Sequence, residues 1–227
     1  MLLFQITTPS AADSINTAVT SQDSLSLLDL ILKGGVIMVP IFLLSIIAFV
    51  IFFERLFTIM AASKDQGSFM DRVKMMVLQG DINGARMLCG QTNSPIARMI
   101  GKGIARLGRP LKDIESSIEN TGKIEIYKLE RNLSILGIIA GIAPMLGFVG
   151  TIFGVIRIFY NISLADNISI GLIAGGLYEK MITSAAGLIV GIIAHAAFHY
   201  LNLLIDRIVY KMESNALDFV DLLQENK

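Results

Sequence analysis

Residues 133–159 read LSILGIIAGIAPMLGFVGTIFGVIRIF. An apolar run of this length is enough to cross a bilayer, which takes about 20 helical residues. A plain anchor needs only Leu, Ile and Val, yet this run carries Gly137, Gly141, Gly147, Gly150 and Gly154, with Pro144 and Thr151 among them. Gly137 and Gly141 are four residues apart, as are Gly150 and Gly154. That spacing puts small residues on one helix face, where a neighbouring backbone can come close. Pro144 interrupts the helical ladder and predicts a kink. The hydroxyl of Thr151 sits among the glycines. The stretch is therefore read as a helix built to pack against other helices, around a polar path.

Outward from this run the rest of the chain fits a membrane protein. The 227 residues are 53% hydrophobic and 17% charged, with no net charge. This balance suits a bilayer better than a soluble domain and gives no reason to expect nucleic acid as a partner. Residues 34–55 form a first apolar span with Pro40 in its first third, closed by Glu54 and Arg55. Residues 133–159 form the second. The third runs over 168–204, on the order of 55 Å of helix against a hydrocarbon core of ~30 Å, so its end projects into water. Residues 205–227 continue at helical spacing as a tail. Residues 1–33 lack the basic and long apolar regions of a signal peptide and are read as a polar lead. Within that lead, Leu27, Leu28, Ile31 and Leu32 cluster on one helix side, either as a helix lying on the membrane lipid or as the start of the first span.

Between the first two spans, residues 56–132 change character. Phe69, Met70, Val73, Met76 and Val77 make a helical stripe, and Gly80 and Gly90 bracket a short helix holding Cys89. Ser94 and Pro95 read as the N-cap and first residue of another helix. A further helix opens at Pro110 and is expected to run unbroken into the second span. Cys89, the single cysteine, is read as a small buried apolar residue. Lys and Arg set the orientation. One lies before the first span, thirteen between Arg55 and Arg131, and one, Arg157, before the 160–167 loop. The positive-inside rule then places the amino terminus and the 160–167 loop outside, and residues 56–132 and the carboxyl tail in the cytoplasm.

Few polar groups lie in the spans. Glu179 stands about eleven residues into the third, roughly 16 Å deep. A carboxyl there is costly and marks either a proton or ion path or a structural ion pair with Lys180. Lys180 cannot share its face, since neighbouring helix residues point in different directions. Thr183, four residues on, lies near the face of Glu179, with Ser184 further round. Thr151 is positioned to meet either hydroxyl. Gly171/Gly175 and Gly187/Gly191 repeat the close-packing spacing. His195 and His199, spaced i, i+4, bring two imidazoles together, but no third ligand stands near. They are read as lining a pore mouth or a subunit contact. No phosphate loop, nucleophile elbow or carboxylate pair points to an enzyme, and no cofactor or metal is expected.

Three stretches resemble one known family. GGVIMVPIFLLSIIAFVIFFERL, IAPMLGFVGTIFGVIRIF and GGLYEKMITSAAGLIVGIIAH are similar to the three spans of the MotA/TolQ/ExbB proton-channel family, in its ExbB/TolQ branch. The resemblance covers most of residues 30–215. It implies an all-α integral membrane protein of three transmembrane helices with long cytoplasmic extensions, assembled as a homo-pentamer in the inner membrane. It also implies a single-span ExbD- or TolR-like partner in the pore, a TonB-like transducer, and protons as the coupling ion of a motor. By matched position, Thr151 is the pore hydroxyl of the second span and Glu179 the acid of the third. Ser184 falls where the family usually has Thr, and Lys180 where a small or apolar residue is usual. On this reading five copies place Glu179, Thr151, Thr183 and Ser184 in a ring, with small-residue faces as the oligomer contacts. Three alternatives are a TolQ-like role in the Tol–Pal system, a non-conducting scaffold and a solute transporter. The last predicts internal repeats, which the sequence lacks.

Overall fold

The computed structural model describes residues 35–63, 66–164 and 170–225. The polar lead, with its candidate interfacial helix, lies outside them, as do residues 165–167 of the expected 160–167 loop, whose first residues instead continue the second membrane helix to Ser163. Among the described residues every regular element is an α-helix. In chain order these are α1 (Met38–Ala62), α2 (Gln66–Leu78), α3 (Ile82–Gln91), α4 (Pro95–Ile104), α5 (Leu111–Glu130), α6 (Leu133–Ser163) and α7 (Ile170–Glu225). α1, α6 and α7 are long and apolar enough to cross a membrane. Their outward faces carry large exposed apolar side chains such as Phe42, Phe49, Phe148, Phe153 and Ile192. Such faces suit lipid or a neighbouring chain rather than water.

Pro40 is the third residue of α1. Its missing N–H lies in the first turn, where helix donors have no intrahelical partner in any case. α1 does not stop at Glu54 and Arg55 but runs on to Ala62, because Ile59 and Ala62 enter the core beyond the span. α7 is one helix of 56 residues, so the third span and the tail are a single rod.

The second half of α7 is the spine of a helical bundle formed with α2–α5. One apolar core runs through it, built from Phe69, Val73, Ala85, Ile96, Ile100, Ile118, Ile208 and Phe219. Local chemistry starts these helices where the sequence places them. Asp81 accepts a hydrogen bond from Gly84 N at 2.8 Å, and Ser94 from Ala97 N at 3.1 Å, with Pro95 in the first turn. Cys89 is buried in the same core, and burial pushes its thiol up to about 11. Glu125 is 3% exposed. Arg98 binds it through Nη2 at 2.6 Å and Nε at 2.8 Å, and Lys128 Nζ at 2.7 Å. Burial works against its charge, but the two cations win and hold its carboxyl below the usual range.

The expected unbroken helix from Pro110 into the second span is not what forms. α5 ends at Glu130, Asn132 adopts φ 64°, and α6 begins at Leu133. Neither Pro nor Gly marks this break. The residue in the left-handed region is Asn, the side chain after Gly best suited to it. The end of the first span clasps the joint. Arg55, 6% exposed, donates from Nη1 to the Lys128 carbonyl at 3.3 Å, one of the acceptors that the end of α5 leaves open. Arg55 also pairs with Glu54.

Candidate functional site

The glycines of the opening stretch do their work inside one chain. α6 and α7 run antiparallel, with Gly137 opposite Phe198, Gly147 opposite Ser184 and Gly154 opposite Lys180. A Cβ on Gly187 would fall 2.6 Å from the Ala143 carbonyl oxygen and 2.9 Å from Gly147 Cα. Only a hydrogen fits between these backbones. A Cβ on Gly191 would meet the Pro144 ring at 2.4 Å and the Ala140 carbonyl at 3.1 Å. Ala140 is the residue whose acceptor Pro144, lacking an N–H, leaves open in the helix. The close approach of Gly191 fits the helices together where α6 lacks a rung. Small-residue faces expected to join subunits are thus spent, at Gly147, Gly150, Gly154, Gly187 and Gly191, on the α6–α7 seam. Gly141, Gly171 and Gly175 have nothing within 4 Å of a Cβ and keep open surfaces.

The candidate side chains fall on this seam and on its flanks. Lys180, Gly187 and Gly191 lie along one line of α7, with Thr183 to one side and Ser184 to the other. Gly150 and Thr151 flank the Gly147–Gly154 line of α6 in the same way. For antiparallel helices, Gly150 then meets Thr183 on one flank, and Thr151 and Ser184 share the other. The contacts agree. The Thr183 methyl lies 3.1 Å from a Cβ on Gly150, with Ile37 at 3.3 Å closing that flank. Thr183 is 1% exposed. Thr151 and Ser184 are half-buried, on the flank away from Ile37. Thr151 Oγ1 donates to the Phe148 carbonyl at 2.6 Å, which leaves its oxygen lone pairs facing the open flank as acceptors.

Lys180 lies across the seam one to two turns further along. Its stem fills the notch left by Gly154, where a Cβ would sit 2.0 Å from Lys180 Cγ, and its Nζ reaches the backbone at Gly35. The stem of this lysine runs along its own subunit's α6 towards the start of α1. Glu179 is one residue earlier on α7, and its side chain lies outside the described residues. The structure therefore brings Thr151 and Ser184 to one flank and packs Thr183 into the other. Sequence reading missed Arg55 and Asn132 as a joint. The clue was present in two adjacent charges, exposed Glu54 and buried Arg55, at a span end that the helix does not respect. Among the described residues, no three His, Cys, Asp or Glu side chains gather as a metal site.

The sequence profile of the MotA/TolQ/ExbB proton channel family matches residues 91–214. The chain belongs to this family. Its matched region takes in the extramembrane helices from α4 onward, both helices of the glycine seam and most of the α7 spine. The ExbB-like 1 biopolymer transport protein of Synechocystis sp. is 30% identical over 199 residues, which is 85% of this chain and 74% of that one. The Tol-Pal system protein TolQ of Haemophilus influenzae is 28% identical over 214 residues, 87% of this chain and 91% of that one. The biopolymer transport protein exbB1 of Vibrio cholerae is 34% identical over 100 residues, covering 44% of this chain and 43% of that one. The resemblance of the three spans to the ExbB/TolQ branch agrees with these relatives. The chain is an all-α, multi-pass membrane protein of a proton-channel family.

Proposed function

We propose that this chain is the channel subunit of an inner-membrane motor. With an ExbD-like single-span partner it spends the proton motive force to energise TonB-dependent transport at the outer membrane. The observation that carries the proposal is the half-buried Thr151–Ser184 flank, two hydroxyls beside a closely packed glycine seam. A single chain has too few polar groups in its spans to carry protons alone. Five copies would repeat the flank around a central pore, and a carboxyl brought by the partner would alternate there between charged and protonated forms. Glu179 adds an acid to the same helix. The coupling ion is the proton, and no cofactor takes part. The thirteen Lys and Arg from Arg55 to Arg131 support, by the positive-inside rule, an α2–α5 bundle in the cytoplasm and an amino terminus in the periplasm.

The test is proton flux into proteoliposomes holding this chain, with and without the single-span partner, for wild type and Thr151→Ala. Flux that needs the partner and falls in the variant, with the complex intact, supports the channel reading. A stable complex with no partner-dependent flux would replace it with that of a scaffold. The match to the Haemophilus TolQ over 91% of that chain favours a second reading, a subunit of a Tol–Pal system. Complementation separates the two, since an ExbB-like subunit restores TonB-dependent uptake and a TolQ-like one restores envelope integrity.

A further inference from the structure

The proposed function leaves one titratable cluster unused. His195 and His199 stand one turn apart on α7 with their rings edge to face, centroids 4.4 Å apart, and both are exposed. They fall on the flank of α7 that carries Ser184, eleven and fifteen residues further along, about 17 and 23 Å of helix. The same helical line continues through Asn202 to Asp206, which is exposed and stands where α7 enters the bundle. Tyr200 and Phe52 face a common groove, so the pair lies level with the end of the first span. A histidine exposed from a single chain at this depth is costly against lipid and belongs beside water or another subunit. Ser184 and the histidine pair thus share one face of one helix, with Leu188 and Gly191 between them.

We propose that His195 and His199 form the proton-releasing group at the bundle-side mouth of the pathway, an inference that rests on the channel reading above. A proton arriving through water adds to the lone pair of a neutral imidazole nitrogen and gives an imidazolium. The second ring, 4.4 Å away and one turn along, offers another imidazole nitrogen at the same mouth. The imidazolium then gives a proton to bundle-side water and returns to its neutral form. Imidazole suits this step because its charge ordinarily changes between about pH 5 and 8. Charged groups on the packed elements at this level are engaged elsewhere or lie further along. Glu54 and Arg55 of α1 pair with each other, and Arg131 stands at the α5–α6 joint. On α7 the next are Asp206 and Arg207.

The experiment measures partner-dependent proton flux in oriented proteoliposomes, for wild type and for the double variant His195→Gln/His199→Gln. The pH on the bundle side is varied from about 5.5 to 8, with and without imidazole added on that side. We expect the double variant to assemble with the partner and to lose about tenfold or more in flux. It should also lose the pH inflection, and added imidazole should restore flux. Wild-type flux and pH profile in the assembled variant would overturn the proposal. Failure of the variant to assemble would also overturn it and make the pair a subunit contact. If wild type itself shows no partner-dependent flux, the channel reading falls and takes this inference with it, whereas unaffected flux in the variant refutes the inference alone.

Discussion

Replacing Gly187 by alanine tests whether the glycine seam fixes the spacing of α6 and α7. The added Cβ would sit 2.6 Å from Ala143 O, 2.9 Å from Gly147 Cα and 3.1 Å from Gly147 N. All three atoms are backbone, so no change of rotamer relieves the contact. Restoring ordinary contact at about 3.5 Å moves the helices apart by up to about 0.9 Å. Overpacking of this kind costs about 1–3 kcal/mol, and a contact with backbone alone belongs at the upper end. Alanine regains about 1 kcal/mol of helix propensity over glycine. The net expectation is a loss of about 2 kcal/mol, or about 4–8 °C in melting temperature for a chain of this size. Gly141→Ala is the control. Nothing lies within 4 Å of its Cβ, so it should keep the propensity gain and melt at or above wild type. The assay heats detergent-solubilised protein and follows loss of the size-exclusion peak. A Gly187→Ala protein that melts with wild type would refute the claim that this seam is backbone-limited.

Three more outcomes follow from the bundle and the joint. The carboxyl of Glu125 is held below its ordinary range, so its pairing with Arg98 and Lys128 stabilises fully above about pH 5. That contribution fades as pH falls through the lowered value, and Glu125→Gln should flatten the acid limb of a stability-against-pH curve measured in denaturant. Asn132→Ala forces an ordinary side chain into φ 64° and should cost about 1–2 kcal/mol in the same melting assay. Buried Cys89, with its thiol pushed up to about 11, should resist maleimide at pH 7.5 in the folded protein and react once denaturant opens the bundle, as read by mass spectrometry.

What the sequence made legible was set by period and length. Three apolar runs, the short helix between Gly80 and Gly90 and the helix start at Ser94 rest on local patterns, and the structure uses them. The α6–α7 seam shows where such reading runs out. Spacing at Gly150/Gly154 and Gly187/Gly191 defines a face but does not name its partner, and the partner is the next helix of the same chain rather than another subunit. The break at Asn132 was invisible for a different reason. Helix ends are usually signalled by Pro or Gly, and here the turn depends on a tertiary clasp from Arg55, 73 residues away along the chain from Lys128. For the candidate site, Thr151, Thr183 and Ser184 were legible as residues. Their division between a packed flank and an open one depends on how two helices meet, which no single-helix pattern contains.

The three spans connect to the bundle in mechanically different ways. α7 passes from membrane to bundle as one uninterrupted helix, and α1 runs straight through to Ala62. α6 joins through the bend at Asn132. A twist applied to the membrane helices therefore reaches the bundle through two stiff shafts, while the third connection works as an articulated coupling that yields in angle and stays fastened through Arg55.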